Sequence, residues 1–212
     1  MRTHNQETQS TMTPEKALEF LKEGNARFEN NLKANRNLLQ QVNETSEGQF
    51  PFAVVLSCID SRVSAELVFD QGLGDVFSVR IAGNFVNQDI LGSMEFACKL
   101  AGSKLIVVLG HSNCGAIKGA CDDAKLGNLT SLLSKLKPAV DAVKEPSENR
   151  NSQNAEFVAN VAHINVEMTI ENIKEQSPVL KDMLEHHEIG IVGGMYDVSQ
   201  GKVEFLKMHV MG

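Results

Sequence analysis

Four short apolar runs constrain this chain more than any other feature: FAVVLS at 52–57, VFSVRIA at 76–82, LIVVLG at 105–110 and IGIVGG at 189–194. A strand with one face in water alternates apolar and polar residues, so a continuous run implies burial on both faces, the condition of a parallel strand covered by helices. Helix-like segments such as 88–101 lie between the runs, and the predicted fold class is α/β, a mostly parallel central sheet flanked by helices. After the last run, Tyr196–Val198, the turn SQGK and VEFLK at 203–207 read as a hairpin that adds an antiparallel edge strand near the C-terminus. Thr13 is an N-cap followed by Pro14 and Glu15, and Ala17, Leu18, Leu21 and Phe28 recur at helical spacing. Residues 13–45 are therefore expected to form an N-terminal helical arm, with 1–12 disordered. The segment 142–154 is loop-like, but Val158, Val161, Val166, Ile170 and Ile173 resume helical spacing beyond it and need the same core, so 1–212 is read as a single domain.

Lys and Arg number 20 against 27 Asp and Glu, a formal charge of -7 that argues against nucleic acid or an anionic membrane as a partner. No run approaches the roughly 18 apolar residues of a membrane span, and MRTHNQETQSTM lacks the apolar stretch of a secretory signal. The expected location is the cytoplasm, or the periplasm only if a signal peptide has been removed. Cysteines 58, 98, 114 and 121 do not make a disulfide framework in a chain of this size and suggest metal use in a reducing compartment.

The first run ends in Ser57-Cys58-Ile59-Asp60-Ser61-Arg62. In an extended segment the side-chain period is two, which puts Cys58, Asp60 and Arg62 on one side at the carboxyl end of the strand, where open α/β sheets carry their sites. The third run ends in Gly110-His111-Ser112-Asn113-Cys114-Gly115, and a chain turning into a helix brings residues three apart to one face. Two thiolates and one imidazole form a set that selects zinc over magnesium or calcium, and three protein ligands leave the fourth tetrahedral position open for water. Either motif alone is weak, since a lone strand-end cysteine is more often a small buried hydrophobe. Together, each at the end of a separate strand and the first with Asp60 and Arg62 beside it, they point to a catalytic zinc held by Cys58, His111 and Cys114. Asp60 and Arg62 as a mere surface ion pair would contribute little; beside a metal, the carboxylate can orient a water and the guanidinium can hold the carboxylate.

These motifs, CIDSR and HSNCG, together with the intervening FDQGLGDVFSVRIAGN, resemble the signature of the β-carbonic anhydrases, over roughly residues 13–207. The resemblance implies reversible hydration of carbon dioxide to bicarbonate and a proton by a zinc-bound hydroxide, with one zinc per chain. It also implies a helical arm that embraces a partner and a homo-oligomer that is at least a dimer, with a tetramer as a further possibility. Carried over position by position, Cys58, His111 and Cys114 match the zinc ligands, and Asp60 and Arg62 the catalytic dyad. Gln49 matches a glutamine that bonds substrate across the dimer interface, Gly115 a glycine whose N–H faces bicarbonate, and Phe77 an aromatic wall of the carbon dioxide pocket. Phe96 stands where members often have tyrosine, and Ala82 where many have valine. Patterning alone places Phe77 and Phe96 in the core.

A subset of the family has a tryptophan three residues before the first zinc cysteine, part of a non-catalytic bicarbonate site that favours a closed state with the aspartate on zinc. This chain has Val55 there and no tryptophan, so the open arrangement is expected; Arg80 matches an arginine associated with that site but decides little. No residue identifies itself as a proton shuttle: His163, His186 and His187 lie outside the motifs. Cys98 and Cys121 read as small apolar residues. Two competing readings are a hydrolase of carbonyl sulfide or carbon disulfide on the same scaffold, and a non-enzymatic scaffold in which Asp60 permanently closes the zinc shell.

Overall fold

The computed structural model describes residues 3–209. Five strands form one sheet in the order β2-β1-β3-β4-β5. They are β1 (Ala53–Ser57), β2 (Val76–Arg80), β3 (Leu105–His111), β4 (Gly190–Tyr196) and β5 (Val203–Phe205). The first four are mutually parallel and β5 is antiparallel to β4, as the apolar runs and the hairpin predict. Alternate residues of the buried strands feed opposite layers. Ala53, Val55, Leu105, Val107 and Leu109 pack with Leu18 and Leu21 of α2 (Pro14–Glu29) and with α4 (Ala65–Val68). Val54, Leu56, Ile106 and Val108 pack with Met94 of α5 (Gln88–Glu95), Val166 and Ile170 of α9 (Ala155–Gln176) and Leu180 of α10 (Pro178–Glu185). This two-sided burial explains why neither β1 nor β3 shows a polar alternation.

From β1 the chain adds β2 on one side and then crosses to β3 on the other. The carboxyl ends of β1 and β3 therefore flank the point where strand order reverses, the crevice in which open α/β sheets hold their ligands. Both chemistry-bearing motifs leave the sheet at that point. A third cluster closes over it, built by α6 (Gly115–Cys121), α7 (Gly127–Ser134), α8 (Lys137–Ala142) and the first half of α9. Helix α9 lies close on the sheet because Gly110 has no side chain, a Cβ there meeting Val166 Cγ2 at 2.7 Å.

The arm consists of α2, capped by Thr13 as expected, and α3 (Leu38–Glu44), with a non-helical stretch between them. That stretch is strapped down by buried Asp70, which pairs with Arg27 at 2.5 Å and Arg36 at 2.6 Å and accepts from the Ala34 N–H at 2.9 Å. The sequence predicts disorder over 1–12; residues 3–12 instead carry a helical turn, α1 (Gln6–Ser10), while residues 1–2 lie outside the described part. Tertiary partners order it. Gln9 Nε2 donates to the carbonyls of Pro51 and Ala101 at 2.9 and 2.8 Å, and the His4 ring packs 5.1 Å from that of Phe52. The helix expected over 88–101 also differs in detail: α5 ends at Glu95 and continues as one π-helical turn, Phe96–Leu100. No helix among the described residues is long and apolar enough to cross a membrane.

Candidate metal centre and active site

Cys58 follows the last residue of β1, His111 is the last residue of β3, and Cys114 caps α6. Their ligand atoms lie within 4.8 Å of one another and all three residues are buried. The two sulfurs are 3.9 Å apart, against about 3.8 Å for one edge of a tetrahedron with ordinary zinc–sulfur bonds. His111 Nδ1–H donates to the Ser112 carbonyl at 2.9 Å, so the lone pair is on Nε2, a buried atom that has no hydrogen-bond partner. A buried imidazole nitrogen without a partner is costly unless something else satisfies it. Beside two sulfurs at tetrahedral spacing, the donor set fits zinc.

Electrostatics prepare the same chemistry. The hydrogen bond that Cys58 shares with Cys114 lowers the pKa of Cys58 against the cost of burial, with further help from the neighbouring His111 and the Gly83 N–H. The same hydrogen bond, with burial, pushes Cys114 up. The shared hydrogen bond thus favours ionisation of Cys58 over Cys114, and a metal held by both would require both thiols to be deprotonated.

The route by which the ligands converge differs from the expected one. His111 and Cys114 meet through a turn with Asn113 in the left-handed region (φ 56°), ahead of the helix rather than on its face. The extended segment from β1 also stops at Asp60: the Val63 N–H donates to the Asp60 carbonyl at 2.9 Å and the Arg62 N–H to Asp60 Oδ1 at 3.0 Å. Asp60 and Arg62 therefore pair through a side-chain-closed turn, not through a strand period that runs to Arg62. The pairing is bidentate, with Arg62 Nε to Oδ1 at 2.8 Å and Nη2 to Oδ2 at 2.7 Å. The Arg62 guanidinium, as the main cause, holds the Asp60 carboxyl well below the usual carboxylate range. Arg62 Nη2 also reaches the Asn113 carbonyl at 3.4 Å, tying the two motif loops together.

Gly115 opens α6, exposed, with nothing near a Cβ placed on it. Its role would rest on its N–H rather than on lack of a side chain. Phe77 and Phe96 form an edge-on pair 6.1 Å apart beside β2. Contrary to the core placement that patterning suggests, Phe77 is only half-buried and Phe96 is 50% exposed. The π-helical turn at the end of α5 begins with Phe96, the residue that meets β2. Gln49 is exposed on the loop entering the amino end of β1, whereas Cys58 follows its carboxyl end. Val55 is fully buried in the core. Cys98 and Cys121 are buried and unpaired, and their thiols are pushed up to about 12 and about 11 by burial.

Arg80 is the residue of this candidate site that sequence reasoning undervalued. Its Nε donates to the Cys58 carbonyl at 3.0 Å and its Nη2 to the Asp60 carbonyl at 2.7 Å. Both carbonyls face one way because the chain is still extended from 58 to 60. A charged residue inside an otherwise mostly apolar run was the available signal.

Comparisons with known proteins agree with this geometry. The carbonic anhydrase family model matches residues 53–203. The carbonic anhydrase of Mycolicibacterium smegmatis is 36% identical over 204 residues, covering 93% of this chain and 95% of that protein. Carbonic anhydrase 2 of Mycobacterium tuberculosis is 33% identical over 205 residues, covering 93% and 94%. Among solved structures, the tetrameric β-carbonic anhydrases of Sordaria macrospora superpose with a TM-score of 0.67 at 25% identity, covering 79% of this chain and 89% of theirs. With the sheet, the Cys-His-Cys cluster and these relatives in agreement, the chain belongs to the zinc-dependent β-class carbonic anhydrases, which catalyse the reversible hydration of carbon dioxide to bicarbonate.

Proposed function

We propose that Cys58, His111 and Cys114 hold the catalytic zinc and that Asp60, fixed by Arg62, is the residue that aims the reacting water at carbon dioxide. The observation that carries this reading is the partnerless His111 Nε2 buried beside two sulfurs 3.9 Å apart. A zinc ion there would supply the acidified water nucleophile for which a carbonic anhydrase with three histidine ligands is the standard illustration. The rest falls to the chain. Asp60, ionised and acceptor-only, takes a hydrogen bond from the nucleophile and so directs the oxygen lone pair toward carbon. Arg62 keeps that carboxylate from rotating toward the ligand cluster, which among the described residues contains the two cysteines and the histidine but not Asp60. This supports the open arrangement.

Phe77 and Phe96 would provide an apolar wall for carbon dioxide, and the Gly115 N–H at the start of α6 a donor to bicarbonate. Gln49 enters the opposite end of β1 from its own Cys58, so its proposed contact with substrate is with the site of a second copy. A homodimer at least is supported by the exposed apolar residues Ile59, Leu67, Phe96 and Leu100 around the β1 and β2 side of the sheet, and the related Sordaria macrospora enzymes are tetrameric. We read the chain as one domain, because both helical layers and the site share a single sheet, and place it in the cytoplasm on its unpaired cysteines. Metal analysis tests the core of the reading: the purified chain should hold one zinc, and Cys58→Ser and His111→Ala should hold none. Stoichiometric zinc in both variants would refute the ligand set.

A further inference from the structure

Asn165 lies midway along α9, on the face packed against the sheet, among Val161, Ala162, Val166 and Ile170. It is 4% exposed. A buried amide in such surroundings costs free energy unless it is paired. Its Nδ2 donates to the Gly83 carbonyl at 2.9 Å, a contact between residues 82 apart in sequence. The other polar group of the same glycine, its N–H, points at Cys58 Sγ at 3.4 Å. Gly83 is the third residue of a turn closed by the Asn84 N–H on the Ile81 carbonyl, and it adopts φ +81°, which a side chain would resist. A Cβ there would also meet Leu136 Cδ1 at 2.6 Å. The turn can thus aim its N–H at the sulfur only with glycine in place, and what anchors that glycine to the long helix is Asn165.

We infer that Asn165 is a positioning residue for the metal centre: by holding the Gly83 carbonyl it keeps the Gly83 N–H on the sulfur of Cys58. An N–H donated to a thiolate withdraws charge from it. In a site with two thiolates, that offsets part of the electron donation which makes a coordinated metal a poorer Lewis acid. Asn165 touches neither metal nor substrate and acts through one glycine. The inference rests on Cys58 being a metal ligand.

The test uses the chain loaded with cobalt(II) in place of zinc, comparing wild type with Asn165→Leu, which keeps the branching at Cγ and loses the donor. The expected result is a thiolate-to-cobalt absorption band shifted to lower energy in the variant, with zinc affinity about tenfold weaker by chelator competition, the lower end of what loss of such outer partners costs. A band and a zinc affinity equal to wild type, with only the melting temperature of the zinc-free protein reduced, would leave Asn165 a packing residue and overturn the inference. Should leucine prevent folding, Asn165→Ser, whose hydroxyl falls short of the Gly83 carbonyl, is read in the same way. In wild-type protein loaded with cadmium-113, the Gly83 amide proton should show scalar coupling to the metal through the sulfur. Thiolate bands without that coupling also overturn the inference. Wild-type protein showing no thiolate band at all would instead remove Cys58 as a ligand, a failure of the reading beneath it.

Discussion

Arg80, at the end of the edge strand β2, donates from Nε to the backbone carbonyl of Cys58 at 3.0 Å, so one strand holds the peptide of a candidate metal ligand on its neighbour. The same guanidinium holds the Asp60 carbonyl at 2.7 Å. One side chain thereby sets the position of both the first ligand and the proposed catalytic carboxylate.

Arg80→Leu is expected to weaken zinc binding about tenfold and to lower turnover with zinc restored, because two outer-sphere contacts go at once. Chelator competition and stopped-flow hydration on the same preparation measure the two effects. Lysine at this position should rescue only in part, since it cannot span two carbonyls with a rigid fork.

Asp60→Asn should keep its zinc and lose hydration activity by about 10²- to 10⁴-fold, the range typical of a positioned acid or base group. Because Arg62 keeps Asp60 ionised far below neutrality, the carboxylate contributes no step to the wild-type rate profile between about pH 6 and 9. Activity should nevertheless rise with pH in that interval as the nucleophile ionises. Full turnover in the zinc-loaded variant contradicts the role assigned to Asp60, and a flat wild-type profile contradicts an ionising nucleophile.

Acid stability should depend on Asp70. Burial works to raise its pKa, but hydrogen bonds from Arg27, the Ala34 N–H and Arg36 outweigh it and the net shift is downward. A carboxyl with a depressed folded pKa contributes stability that is fully present above its unfolded pKa, about 3.9, and is lost as pH falls below that value. Wild type should therefore lose stability steeply below about pH 4, and Asp70→Asn should show a shallower slope there. At pH 7 the same variant should be less stable by about 3 kcal/mol, because it leaves two arginines facing a neutral group. Urea unfolding at pH 3.5 and pH 7 separates the two effects.

Removing zinc should destabilise the fold, since the cluster formed by Cys58, Cys114, Ile117, Leu136 and Phe157 is completed at the ligand residues. At free zinc about 1,000 times its dissociation constant the bound metal contributes about 4 kcal/mol. Calorimetry with and without chelator should show a lower melting temperature on removal, restored by zinc and not by magnesium, whose preference is for oxygen ligands. Equal melting temperatures would show that the metal is not linked to folding.

The sequence by itself located the strands and named the candidate ligands that the fold brings together. Continuous apolar runs point to strands covered on both faces, which holds for β1, β3 and β4 but not for β2, an edge strand that is only partly buried; two thiolates with an imidazole at strand ends allow few metals. Even the C-terminal hairpin was legible, because turn chemistry is local. What only the tertiary structure decided is how distant segments meet. The switch between β1 and β3, the clamp of Arg80 on Cys58, the hold of Asn165 on Gly83 and the packing of residues 3–12 through Gln9 join residues that no period connects. Period-two reasoning brought Arg62 to Asp60 for the wrong reason, since the Asp60 side chain closes a turn on the Arg62 N–H and ends the strand geometry first. A local pattern reports which face of an element is apolar. It carries no information about which buried carbonyl on another element a side chain will satisfy, and at the Cys-His-Cys site those long-range hydrogen bonds hold the candidate ligands that the sequence names.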